Sequence, residues 1–206
     1  MNQRRFLQLW SRLGATRQSP ETFAQLSAAY GEPHRAYHTA EHIRDCLQQL
    51  DAAPSHDRER DLVETAIWFH DLVYHPGAPD NEARSAAAAG RMLADAGVSS
   101  EFVAEVGRLI LLTRHLDPPA DSRGRLLCDV DLSILGRAPA QFAEFERRIR
   151  AEYARVPEPE YRAGRAQVLQ RFLDRRPLYV TSYFRDRYEA PARLNLQDAL
   201  RRPAGA

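Results

Sequence analysis

Apolar residues in this chain recur at intervals of three and four, and no segment alternates. Phe6, Leu9, Trp10 and Leu13 open the series. Phe23, Leu26 and Tyr30 follow, then Ile43, Leu47 and Leu50, then Val103, Val106, Leu109, Ile110 and Thr113, and later Phe142, Phe145, Ile149 and Tyr153. A period near 3.6 gathers such residues on one face of a helix, whereas a half-buried strand needs alternation. Helix starts are signalled by Ser19-Pro20-Glu21, Thr39, Asp80-Asn81 and Ser99 or Ser100, and helix stops by Gly14, Gly31, Gly97 and Gly136. The pattern predicts an all-α chain of about ten helices with short Pro/Gly joints. Ala86 to Ala89 allow a close helix neighbour. Pro157 and Pro159 should break the helix begun at Pro139, and a further helix should run from Tyr161 to Arg175. Pro177 and Pro191 should confine the C-terminus to a short helix through Leu194, Leu196 and Leu200, with Pro203 to Ala206 frayed.

The 206 residues suffice for one sizeable domain with a full core. A net charge of +1 gives no bulk electrostatic reason to bind nucleic acid. All 29 basic residues are arginine. That excludes a P-loop lysine, a Schiff-base lysine and a Ser-Lys nucleophile, and it supplies the better bidentate clamp for phosphate. Cys46 and Cys128 lie far apart in apolar helical surroundings, as expected of buried free thiols in a reducing compartment. No segment approaches the apolar length of a membrane span, and the N-terminus lacks a leader-like apolar run. The expectation is a cytoplasmic protein with no membrane partner.

The stretch Thr65-Ala66-Ile67-Trp68-Phe69-His70-Asp71 is apolar until it ends in an adjacent His-Asp pair, before the Pro76-Gly77 break. The spacing predicts a helix from about Arg58 that carries both residues late. Neighbouring helical positions differ by about 100°, so the two side chains share a target only if it sits between their faces. A divalent metal is such a target. For the dipeptide alone, a satisfied core histidine and a solvated aspartate are the favoured reading. Three further stretches add ligands, however: His38 and His42, His115, and Asp129 and Asp131. The two aspartates lie inside an apolar run, Leu126 to Leu135, where an unpaired charge is expensive to bury.

The order His … His-Asp … Asp on a helical background resembles the HD-domain superfamily of metal-dependent phosphohydrolases. The stretches Glu32-Pro-x-Arg-x-Tyr-His-x-x-x-His42, Trp68-Phe-His-Asp-x-x-Tyr74, Asp80-Asn-Glu-x-x-Ser85, Thr113 with His115, Asp129-x-Asp-Leu-x-Ile-Leu-Gly136, Arg150-x-Glu-Tyr153 and Ala192-Arg-x-Asn-Leu196 are similar to the subgroup called predicted metal-dependent HD-superfamily phosphohydrolases. The resemblance implies a single HD-type domain over residues 1–206, with a metal core at about 30–136 and helices at 139–202 packed on it. It implies His42, His70, Asp71 and Asp131 as metal ligands. His42 is preferred to His38 because it adjoins the Ile43–Leu47 stripe, and Asp131 to Asp129 because a leucine follows it.

Two imidazoles and two carboxylates suit Mn2+, Fe2+, Co2+, Ni2+ or Zn2+ better than Ca2+, and Mg2+ is a further candidate. Such an ion acidifies bound water for attack on a small phosphate ester, nucleotides included. Arg35, His38 and Arg114 are candidates to hold the phosphate, and Glu82 and His115 to act as acid, base or water-positioning groups. A second ion bridged by Asp71 would draw on His75 and His115. Two rival readings keep the fold: an HD-type diiron oxygenase, and a non-catalytic nucleotide- or metal-binding regulatory module. Plainer roles are expected elsewhere: His34 and His56 solvated, Arg150 and Arg193 in salt bridges, Arg147 and Arg148 on a solvated face.

Overall fold

The computed structural model describes residues 1–17, 19–54 and 57–201. The expectations for His56 and for Pro203 to Ala206 lie outside them. Among the described residues the protein is all-helical, with ten α-helices, one 3-10 helix and no strand. No helix among them is long and apolar enough to cross a membrane. The chain divides into two compact units, Met1–Cys128 and Asp129–Ala206.

The first unit holds α1 (Gln3–Arg12), α2 (Ser19–Ala29), α3 (Ala40–Ala52), α4 (Asp57–Phe69), α5 (Asn81–Asp95) and α6 (Ser100–Leu112), and α7 (Ser122–Asp131) starts in it. Local signals set several of the ends. The Thr39 hydroxyl accepts from Glu41 N at 3.2 Å and the Ser99 hydroxyl from Phe102 N at 3.4 Å. Gly14 and Gly97 take the left-handed φ of +69° and +86° that follows a helix C-terminus. Asp80 occupies the N-cap of α5 but makes no side-chain cap bond; Asn81, the first helical residue, is engaged elsewhere.

α4 is the centre of this unit, touched by α1, α3, α5 and α6. Ala66, Ile67, Trp68, Phe69 and His70 are all no more than 2 % exposed, so the helix end is buried on every side. Phe6 and Phe23 pack on the Trp68 ring at 5.4 and 6.4 Å. Full burial of rings such as Phe6 and Trp68 contributes on the order of 2–3 kcal/mol each. Glu64, also buried on α4, is paired by Arg5 at 2.7 Å and Arg12 at 3.3 Å, which ties α1 to it without leaving a bare charge. Cys46 and Cys128 are buried free thiols.

The second unit comprises the 3-10 turn Leu132–Gly136, α8 (Pro139–Glu152), α9 (Glu158–Asp174) and α10 (Ser182–Arg201). Three expectations change here. α9 begins at Glu158, so Pro159 sits in its first turn, where a missing N–H costs nothing. α9 also ends at Asp174, one residue short of Arg175. The C-terminal helix is 20 residues long and runs through Pro191. An interior proline loses one helical bond and costs about 3 kcal/mol. The Pro191 ring faces solvent, while Phe184, Ala192, Asn195 and Leu196 are buried, and that packing carries the helix across the break.

Polar side chains then fasten the segment between α9 and α10. The Glu189 carboxylate accepts from Leu178 N and Tyr179 N, each at 3.0 Å. The Tyr179 hydroxyl donates to Leu132 O at 2.8 Å, and Asn195 Nδ2 donates to Leu135 O and Arg137 O. Arg193 pairs with Glu189 at 2.6 Å and Arg150 with Glu158 at 2.8 Å, as expected of both. Gly136 lies against the Tyr188 backbone: a Cβ there would meet Tyr188 O at 2.7 Å and Cα at 2.9 Å. Gly136→Ala is therefore expected to destabilise by about 1–3 kcal/mol. Gly164→Ala, in α9 with nothing within 4 Å of the new Cβ, should gain up to about 1 kcal/mol. Urea unfolding of the two variants checks the contrast.

Candidate metal centre

The last four carbonyls of a helix have no intrahelical donor and must find one. Those of α4 are buried, and each has a partner. Ala66 O takes His70 N at 2.8 Å, Ile67 O takes the His70 Nδ1 at 2.9 Å, Trp68 O takes the Tyr30 hydroxyl at 3.0 Å, and Phe69 O takes Leu72 N at 3.1 Å. The helix thus ends at Phe69, and His70 and Asp71 stand in the turn beyond it rather than late in the helix. Side chains hold the rest of the turn. Arg35 donates to Asp71 O and Leu72 O, and Ser85 bonds both N and O of Val73. His34 reaches Tyr74 O at 2.8 Å, and Asn81 bonds both N and O of His75.

The Ile67 carbonyl can only accept, so His70 Nδ1 carries a proton, and in the neutral ring its Nε2 keeps a lone pair. That Nε2 points at His42 Nε2, 3.2 Å away on α3. The Asp71 carboxylate lies 3.0 Å from His70 Nε2 and 3.6 Å from His42 Nε2. Ligands on metal bonds of about 2.1 Å stand roughly 3.0 Å apart at cis octahedral positions and roughly 3.4 Å apart in a tetrahedron. The 3.2 and 3.0 Å separations fall in that range, and the 3.6 Å one lies just beyond it. α7 brings Asp131 at its end, and the ligand atoms of His42, His70 and Asp131 all lie within 4.8 Å of one another, a group that can hold a metal ion. Burial acts to raise the Asp71 carboxyl, but His70, His38 and His42 together outweigh it and hold the group below the usual carboxylate range. The side chain is 15 % exposed, against 4 % for His42 and 2 % for His70, so the cluster is open on the Asp71 side.

The other expected residues fall in different places. His38 stands beside the cluster, its ring stacked on Tyr74 at 4.1 Å and 6.0 Å from that of His42. Arg35, expected at the phosphate, has a side chain that is 0 % exposed and is occupied by protein groups. Glu82 and Arg114 face each other at 4.0 Å, and Arg114 also donates to Pro79 O. His115 is buried at the end of α6 with a left-handed φ of 51° and does not belong to the converging group. His75 is exposed and stacks on His34 at 5.8 Å. His34 is exposed yet tied to Tyr74 O rather than simply solvated. Asp129 spends its oxygens on Val180 N, Thr181 N and Thr181 Oγ1 at 2.6–3.0 Å, while burial pushes its carboxyl up against those bonds. Tyr30 was expected only in an apolar stripe and Asn81 only in a helix cap, and neither they nor Ser85 were expected to hold this turn. Asn81 and Ser85 flank Glu82 in a quoted motif, which was the available signal.

No family model matches this chain, and neither does any curated protein or solved structure.

Zn2+ or Co2+ is expected to bind the metal-free protein at one site. His42→Ala, His70→Ala and Asp131→Ala should each weaken binding by more than the roughly 10–100-fold that loss of an outer partner produces. Asp129→Asn should leave affinity unchanged and cost about 1–3 kcal/mol of stability through mismatched donors. Titration calorimetry and urea unfolding separate the two effects.

Proposed function

We propose that the protein is a metal-dependent hydrolase of small phosphate esters, nucleotides among them. The observation that carries this reading is the convergence of the His42, His70 and Asp131 ligand atoms within 4.8 Å of one another, with the Asp71 carboxylate 3.0 Å from His70. The sequence resemblance to HD-superfamily phosphohydrolases supports the reaction class.

The residues divide by what they can do. His42 and His70 offer neutral nitrogen donors, and Asp71 and Asp131 offer charge. A divalent ion held by such a set lowers the pKa of bound water and screens the charge on phosphoryl oxygens. Water adds to phosphorus, the ester P–O bond breaks, and the alcohol leaves with a proton. His38, half-buried beside Asp71, is the protein group best placed to hydrogen-bond the phosphate. Arg114, 40 % exposed and beside Glu82, adds a positive group at the start of α5. Arg35 is not a phosphate clamp in this account, since its guanidinium is enclosed.

The test is phosphate release from a panel of nucleotides and phosphate esters with Mn2+, Mg2+, Co2+ or Ni2+. Release should require the metal, stop with a chelator and vanish in His70→Ala. His38→Ala should keep the metal and lower kcat/KM by about 10–100-fold. Oxygen consumption by an iron-loaded protein without phosphate release would replace this reading with an oxygenase. Retained metal with no turnover of any substrate would replace it with a binding module.

A further inference from the structure

We propose that Arg35 is a positioning residue that sets the spacing between the two segments carrying the metal ligands. The inference rests on the metal-site reading above. Arg35 Nη1 donates to two carbonyls at once, His38 O at 3.2 Å and Asp71 O at 2.7 Å, and Nη2 donates to Leu72 O at 3.0 Å. One of those carbonyls belongs to the residue before Thr39, the N-cap of α3, which carries His42. The others belong to the turn that carries His70 and Asp71. One planar group therefore bridges the root of one ligand segment to the root of the other.

The guanidinium is itself held on all sides. Nε donates to Glu32 Oε2 at 2.9 Å, and the group lies over the rings of Tyr30 and Tyr74 at 5.3 and 5.6 Å. The Tyr30 hydroxyl holds Trp68 O at the end of α4, and the Tyr74 ring packs on His38 before α3. Glu32 balances the positive charge, so Arg35 acts on the centre through geometry and not by placing a bare cation next to a metal. Lysine keeps the charge but cannot present the fork, and a single ammonium does not span Glu32 and three carbonyls in this plane.

The test uses Co2+, whose visible spectrum reports ligand geometry apart from catalysis. In Arg35→Lys, Co2+ affinity should fall by about 10–100-fold and the absorption bands should shift in position and intensity. Phe172→Leu, a packing change in α9, should lower the unfolding midpoint and leave affinity and spectrum as in the wild type. If Arg35→Lys does not fold, Glu32→Gln decides: a weaker affinity with an altered spectrum supports the proposal, and wild-type values overturn it. A folded Arg35→Lys with wild-type affinity and spectrum would make Arg35 a structural residue only and leave the metal reading intact. Failure of the wild-type protein to bind Co2+ would overturn both.

Discussion

A helix that stops inside a core presents its last carbonyls to a medium without water, and that need organises the first unit of this protein. α4 is buried all round at Phe69, so its end must be answered by donors from its own turn and from neighbouring elements. The answers come from His70 itself, from Tyr30 at the end of α2, and, past the helix, from Arg35, Ser85 and Asn81. Because His70 spends Nδ1 on Ile67 O, the same bond that finishes the helix aims Nε2 at His42. Termination of the helix and construction of the cluster are thus one arrangement.

The cluster gathers donors that a single cation can share. Two imidazole Nε2 atoms face each other at 3.2 Å, and a carboxylate held ionised stands 3.0 Å from one of them. Where both rings are neutral with the proton on Nδ1, the two Nε2 lone pairs repel at that distance. A divalent ion serves both nitrogens and the carboxylates together, which is why the donor set and its spacing point to a metal more strongly than any one residue does. Asp129, two residues from Asp131, shows the alternative fate of a carboxylate in an apolar run: it is satisfied by backbone N–H groups and a hydroxyl and is left with no role at an ion.

What the chain disclosed without a structure follows from how local each cause is. The stripes, the Thr39 and Ser99 caps and the Gly14 and Gly97 stops depend on residues within a turn or two, and they are legible in the sequence. The helix across Pro191 was not legible, because burial of Phe184, Ala192 and Leu196 outweighs a local penalty that was all the sequence displayed. The end of α4 was misplaced by two residues, since no glycine or proline marks the turn before Pro76-Gly77. Arg35 was assigned to a phosphate for its chemistry alone. Its partners are backbone carbonyls at positions 38, 71 and 72, and carbonyls leave no mark on a sequence. Asn81 and Ser85 escaped for the same reason. His42, His70 and Asp71 were legible as ligand types in a spaced series, but not the 3.0–3.6 Å distances among them.

The most direct test of the account is anomalous diffraction from crystals of the protein grown with Mn2+ or Zn2+, collected on both sides of the metal edge. The account predicts one dominant anomalous peak within bonding distance of His42 Nε2, His70 Nε2 and carboxylate oxygens of Asp71 and Asp131. A peak elsewhere, for instance at the exposed His34 and His75 rings, or no peak with the four side chains ordered, would contradict it.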